Sequence, residues 1–236
     1  MKTKLFAADS RGFADHGWLK SSHSFSFASY FNPDHMNFGA LRVLNDDWVA
    51  PSMGFGTHGH RDMEIISIPL SGDLKHRDNM GNETIIRSGD IQVMSAGSGV
   101  QHSEMNASAS DPVAFLQIWI FPKVKNVTPR YDQLTLKAED STNRWQQILS
   151  PNKEDEGVWI HQDAFMHLNH LDAQGSTTYK LKNTANGVYL FVIEGEVIVE
   201  GEKLGKRGAI GISEVAQITL CAQTNAKLLA IEVPMA

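Results

Sequence analysis

The chain has 236 residues, of which 42% are hydrophobic and 20% are charged, and its formal net charge is −6. This length is sufficient for two packed domains of about 100 residues each. The acidic balance and the absence of a large basic cluster argue against a nucleic-acid-binding protein. The single cysteine, Cys221, excludes an intramolecular disulfide and a cysteine-rich zinc site, as expected in a reducing compartment.

The N-terminal apolar run is too short for a secretory signal, which needs roughly 7–15 apolar residues. No window approaches the roughly 20 apolar residues of a membrane span. We therefore expect a soluble cytoplasmic protein that does not associate with membranes.

Short apolar runs separated by glycine turns dominate the chain, and this rhythm is typical of an all-β protein. Predicted strands of the first half are 64–70, 83–87, 91–94 and 113–121. The amphipathic stretch 130–136 is too short to be assigned an element. Order resumes at 144–149, and the predicted strands of the second half are 165–171, 176–181, 187–193, 196–200, 217–220 and 227–233.

The second half repeats the rhythm of the first, with an apolar strand, a glycine turn and a return strand. This repetition predicts two tandem β-barrels. The predicted boundaries are an N-terminal domain at 1–125, a linker at 126–145 and a C-terminal domain at 146–236. Because each domain already has a partner within the chain, we expect a monomer.

Two short motifs carry the residues of a candidate metal site. His58 and His60 are two positions apart, and so are His102 and Glu104. Residues i and i+2 of a strand point to the same face, so neighbouring strands could direct both pairs at one interior spot. Three imidazoles and a carboxylate suit a divalent Fe, Mn, Co, Ni, Cu or Zn ion better than Mg or Ca.

The fourth ligand is not decided by spacing alone. Glu64 is an even number of residues from His58 and His60, so it would point to the same face of an unbroken strand. A bulge or turn near Arg61 could bring it close to them. On the residues alone, Glu64 and Glu104 both remain candidates.

The chain resembles the cupin superfamily in its HxH pair and in the motif of Gly89, Gly97 and His102, with Ser95 where the common pattern has proline. More specifically, it resembles the pirin family of bicupins. The matching stretches are RGFADHGWLKSSHSFSFASYFNP (11–33), MNFGALRVLNDDWVAP (36–51), HGHRDMEI (58–65), LKHRDNMGN (74–82) and VMSAGSGVQHSEMN (93–106).

This resemblance implies two tandem jelly-roll-type cupin domains. It also implies ligation by His58, His60, His102 and Glu104, with Fe(II) as the expected ion. Glu64 then becomes a supporting or structural acid. Gln117 and His76 are further candidates for the pocket.

Other histidines are interpreted as structural. We expect His23 to pack or to form hydrogen bonds. His161, His167 and His170 have no HxH spacing and no partner motif, so the second domain is predicted to be metal-free.

The resemblance further implies a quercetin 2,3-dioxygenase activity, in which a flavonol and O₂ react with release of carbon monoxide. Glu104 would then be both a ligand and the general base for the 3-hydroxyl proton. One alternative is a non-enzymatic, iron-responsive or redox-responsive regulator that binds a protein partner. A metal-containing storage or stress protein is a third, less favoured interpretation.

Overall fold

A computed structural model describes residues 1–235 and contains two domains of β-strands. Each domain is a sandwich of one seven-stranded and one four-stranded sheet, almost entirely antiparallel, as in a jelly roll. The predicted all-β bicupin architecture is therefore confirmed, although the two sheets of each sandwich are separate rather than joined into a closed barrel. Within residues 1–235, no helix is long and apolar enough to cross a bilayer.

Eleven strands build the sheets of the first domain. In chain order these strands are β2 (Gly12–Asp15), β3 (Leu19–His23), β4 (Leu41–Val49), β5 (Gly54–His60), β6 (Glu64–Ser71), β7 (Leu74–Asp78), β8 (Glu83–Ile86), β9 (Asp90–Ser95), β10 (Val100–Asn106), β11 (Val113–Ile120) and β12 (Arg130–Thr135). The large sheet has the order β12-β9-β6-β11-β4-β3-β2, and the small sheet has the order β5-β10-β7-β8.

The second domain also has eleven strands, and one of them is the first strand of the chain. These strands are β1 (Lys2–Phe6), β13 (Gln146–Ser150), β14 (Val158–Trp159), β15 (Phe165–Leu171), β16 (Ser176–Lys180), β17 (Asn186–Glu194), β18 (Val197–Val199), β19 (Glu202–Leu204), β20 (Ala209–Ser213), β21 (Gln217–Ala222) and β22 (Ala226–Pro234). The sheet orders are β1-β20-β17-β22-β15-β13-β14 and β16-β21-β18-β19. Short 3-10 turns occupy Ala8–Ser10 and Ala138–Ser141.

The domains exchange strands at corresponding sheet edges. β1 precedes the first domain in sequence but pairs with β20 of the second, whereas β12 lies in the predicted linker but pairs with β9 of the first. The amphipathic stretch at 130–136 therefore contributes a strand at the edge of the large sheet. Within the segment predicted as a linker, Arg130–Thr135 form a β-strand.

The two large sheets face each other and form the largest apolar core. This core combines residues of both domains, including Phe6, Phe25, Ile66, Tyr189 and Phe191. Aromatic edges meet there, with the Phe6 ring centroid 5.7 Å from Phe25 and 5.1 Å from Tyr189. The domains are thus held together by a shared core in addition to the exchanged strands.

The interiors of the two sandwiches differ in chemistry. Apolar side chains such as Val188, Leu190 and Leu220 fill the second sandwich. The first has only two small apolar clusters, one around Phe115 and one around Ile65. The remaining interior of the first sandwich is polar, and the candidate site lies there.

Candidate metal centre and its pocket

The small sheet of the first domain brings three of the predicted metal ligands together. β5 and β10 are antiparallel neighbours, and His102 lies directly opposite His58. The register shifts between His102 and Glu104, which marks a β-bulge in β5. Gly54 is required nearby because a Cβ atom there would lie 2.3 Å from the carbonyl oxygen of Glu104.

The three imidazoles converge through their Nε2 atoms. His102 Nε2 lies 3.0 Å from His60 Nε2 and 3.1 Å from His58 Nε2. One ligating nitrogen from each residue lies within 4.8 Å of the others. Two nitrogens bound at right angles to one ion, each at about 2.1 Å, lie about 3.0 Å apart, so the spacing fits a shared transition-metal ion.

The lowered pKa values of two histidines keep these side chains neutral, which also favours metal binding. Burial, reinforced by His58, lowers the pKa of His60 to about 4. Burial and the neighbouring histidines lower the pKa of His102 to about 2. His58 Nδ1 lies 2.8 Å from the Gly56 carbonyl oxygen, which places the proton on Nδ1 and leaves Nε2 as a lone-pair donor.

Glu104 lines the same pocket but is not one of the groups that converge within 4.8 Å. Ser67 Oγ donates to its Oε1 at 2.9 Å, and Gln117 Nε2 donates to its Oε2 at 2.7 Å. Burial raises the pKa of Glu104, while the Ser67 hydrogen bond acts against this rise. Its role as the fourth ligand stays a prediction.

The other candidates occupy three different environments. Gln117 lines the pocket and contacts both Glu104 and Ser67. His76 is fully buried behind the cluster, where its Nε2 lies 3.1 Å from Asp78 Oδ2 and its ring centroid is 5.3 Å from that of His102. Glu64 lies away from the pocket.

Glu64 begins β6, which belongs to the large sheet, and it pairs with Ser95 of β9. Asp62 turns the chain with a φ of 48°, but the strand that follows leaves the small sheet. Ser95 Oγ donates to Glu64 Oε2 at 2.7 Å. The serine at the position where cupins commonly have proline therefore supplies the partner of a buried carboxyl group.

A cavity of about 430 Å³ opens beside the cluster, and its size is typical of a small-molecule site. Phe27, Phe55, Leu19 and Trp119 provide apolar walls. The Trp119 ring lies 5.0 Å from that of His60 and packs edge-on to Phe27. The arrangement suits a flat aromatic ligand held next to the imidazoles.

A second polar wall faces the same cavity and consists of Ser21, His23, Asn45 and Asp47. These residues lie on β3 and β4, where Ser21 is opposite Asp47 and His23 is opposite Asn45. Ser21 donates a hydrogen bond to Asp47, and His23 Nδ1 lies 2.9 Å from Asn45 Oδ1. Burial raises the pKa of Asp47 to about 7.

The sequence reasoning missed Ser21, Asn45 and Asp47. A signal was present, because Asn45 and Asp47 interrupt the inward positions of an otherwise apolar strand. For His23, the predicted hydrogen bonding is present, and the residue also lines the cavity.

The second domain has different residues at the corresponding strands. β16 and β21 occupy the places of β5 and β10 in the small sheet. Their facing pairs are Tyr179 with Ile218 and Thr177 with Leu220. Tyr179 Oη and His167 Nδ1 lie 3.1 Å apart, within a buried network around Glu232. The metal-free second domain stays a prediction.

Two known domain families match this chain. The Pirin family matches residues 6–120, and the quercetinase C-terminal cupin domain matches residues 147–233. A relative from Escherichia coli K12 named quercetin 2,3-dioxygenase is 37% identical over 230 residues, covering 98% of each chain.

The chain belongs to the pirin family.

Other pirins are similar to this chain over nearly its full length. A pirin-like protein of Caulobacter vibrioides is 42% identical and covers 95% of this chain and 96% of its own. The crystal structure of the Escherichia coli pirin YhhW in complex with nickel(II) is 36% identical, with a TM-score of 0.94 over the full length of both chains. The same pirin in another crystal structure gives a TM-score of 0.95.

Proposed function

We propose that this pirin is a metal-dependent dioxygenase that cleaves a flavonol of the quercetin type with O₂ and releases carbon monoxide. The observation that carries the proposal is the convergence of three imidazole Nε2 atoms beside a cavity that also contains a buried carboxyl group. The name of the Escherichia coli relative and the nickel(II) complex of YhhW support the same chemistry.

His58, His60 and His102 would hold the ion, with Glu104 as the fourth ligand. Fe(II) is the proposed ion, and the nickel(II) complex of a relative supports a divalent transition metal in general. When bound, such a metal supplies Lewis acidity and coordination positions for substrate and O₂.

The protein's own residues account for the proton transfer. Glu104 would accept the proton of the flavonol 3-hydroxyl as general base. Ser67 and Gln117 hold its two oxygens in fixed directions, so the base does not have to be reoriented during the reaction. Phe27, Phe55 and Trp119 would hold the flat ring and exclude water.

The test is aerobic incubation of protein loaded with Fe(II), or with nickel(II) in parallel, with quercetin. The expected result is loss of the long-wavelength absorbance of quercetin together with carbon monoxide in the head space. His58→Ala and His102→Ala should abolish both signals, whereas His161→Ala, outside the cluster, should retain them.

Equal rates in the wild-type protein and in the His58→Ala variant would refute the enzymatic function. Recovery of a protein partner only by the metal-loaded form, in the absence of turnover, would favour the regulatory alternative.

A further inference from the structure

The second polar wall of the cavity has hydrogen-bonding capacity that the fold does not use. Asp47, Asn45 and His23 are 4%, 3% and 4% exposed. Within residues 1–235, Asp47 Oδ2 and His23 Nε2 have no hydrogen-bond partner, although Asp47 Oδ1 and His23 Nδ1 do. Both residues line the cavity, so these atoms can form hydrogen bonds with a ligand that enters it.

This wall belongs to the large sheet, whereas the histidine cluster belongs to the small sheet. Asn45 lies opposite Gln117 across the β4–β11 pair, and His23 lies one strand further away. Neighbouring strands are about 4.8 Å apart, so the wall lies about 5 to about 10 Å from β11, the strand that carries Gln117. A ligand that reaches both sides needs polar groups on different rings.

We propose that Asp47, with Ser21, His23 and Asn45, forms a hydroxyl-binding subsite that selects planar polyhydroxylated aromatic substrates. This inference rests on the proposed function, because it assigns how the same cavity holds the substrate. One hydroxyl of the substrate is placed at Glu104 and the histidine cluster. A second hydroxyl, on a different ring, donates to the free oxygen of Asp47.

The apolar walls cannot provide this selectivity by themselves. Phe27, Phe55 and Trp119 contact any flat ring of suitable size. A site that forms hydrogen bonds with a hydroxyl rejects the analogue lacking that hydroxyl, because its own buried polar groups are then left unpaired. Asp47 is therefore a specificity-determining residue and not a catalytic one.

The test compares quercetin with 3-hydroxyflavone, which has only the 3-hydroxyl, in wild-type protein and in Asp47→Leu and Asp47→Asn variants. Dissociation constants are measured on metal-free protein by quenching of tryptophan fluorescence, and kcat/KM is measured on metal-loaded protein. Asp46→Asn is the matched control, because Asp46 lies on the same strand but points to Arg207 of the second domain, with a contact of 2.8 Å.

Wild-type protein should prefer quercetin. At about pH 8, where Asp47 with its pKa of about 7 is mostly ionised, Asp47→Leu should weaken quercetin binding by about 10- to 100-fold, the loss expected for one hydrogen bond to a charged group. Binding of 3-hydroxyflavone should change by less than about threefold, within the usual effect of a substitution outside its contacts. Asp47→Asn should weaken quercetin binding by less than Asp47→Leu does. Asp46→Asn should leave the ratio of the affinities for quercetin and 3-hydroxyflavone unchanged.

Equal losses for both compounds in a folded Asp47 variant, or no loss for either, would overturn the subsite. A lack of turnover by metal-loaded wild-type protein refutes the proposed function instead. In that case the binding measurements on metal-free protein still decide whether Asp47 recognises the second hydroxyl.

Discussion

Replacement of Glu64 by glutamine tests the electrostatics of a buried carboxyl group at the start of β6. Burial raises the pKa of Glu64 from 4.5 to about 7, in spite of a hydrogen bond from Ser95. The folded protein therefore binds a proton here more tightly than the unfolded chain does. Its stabilising contribution is complete below about pH 4.5 and is lost as the pH rises to about 7.

The size of the effect follows from the two pKa values. They differ by about 2.5, and each unit corresponds to about 1.4 kcal/mol, so the free energy of unfolding should lose about 3 kcal/mol across this interval. Glu64→Gln has no ionisable group at this position. The difference in stability, wild type minus variant, should therefore fall by about 3 kcal/mol between about pH 4 and about pH 8.

The assay is urea denaturation of metal-free protein, followed by tryptophan fluorescence at several pH values. His60 and His102 titrate in both proteins, so their contributions cancel in the difference. Glu202→Gln removes a carboxylate that is exposed on β19 and should give a difference that varies little with pH. A flat difference for Glu64→Gln, or one that grows with pH, would refute the assignment of a buried protonated carboxyl.

Three further predictions concern other parts of the molecule. Phe6→Ala should destabilise the protein by about 3–5 kcal/mol, the usual cost of removing a buried aromatic ring, measured by urea denaturation; a change below about 1 kcal/mol would contradict the packing of β1 against the second domain. Gln117→Leu should lower kcat for quercetin with little change in metal content, because Glu104 loses one of its two hydrogen-bond donors; loss of the metal itself would show a different role. Tyr179→Phe should lower the free energy of unfolding by about 1–3 kcal/mol, because the buried Glu232 loses a donor, and an unchanged stability would argue against that network.

The sequence predicted the type of fold and most of its strands because the signal is local. Alternation and glycine turns marked β6, β11, β15 and β22 within a few residues of their observed limits. The exchange of β1 and β12 left no such signal, since pairing across the two domains is a long-range property. Nothing in the composition of Lys2–Phe6 specifies β20 as its neighbour.

For the candidate site, the sequence predicted the histidine cluster but not the contacts around Glu104. Spacing and resemblance predicted His58, His60 and His102 as ligands, and the register of β5 and β10 brings these three side chains together. The contacts of Glu104 with Ser67 and Gln117 depend on the packing of one sheet over another, which periodicity does not describe. For the same reason, spacing left Glu64 and Glu104 equivalent, although Glu64 lies on a different sheet.

The exchanged strands determine how this protein can be divided for study. A cut near residue 125 would separate β12 from the N-terminal piece and would remove β1 from the C-terminal piece. Each piece would then expose a row of unpaired amide and carbonyl groups along β9 or β20, and open edges of this kind recruit other chains and promote aggregation. An N-terminal fragment should therefore extend to residue 136 so that it keeps β12, whereas a C-terminal fragment needs β1 grafted back, for example by fusing residues 1–7 ahead of residue 137.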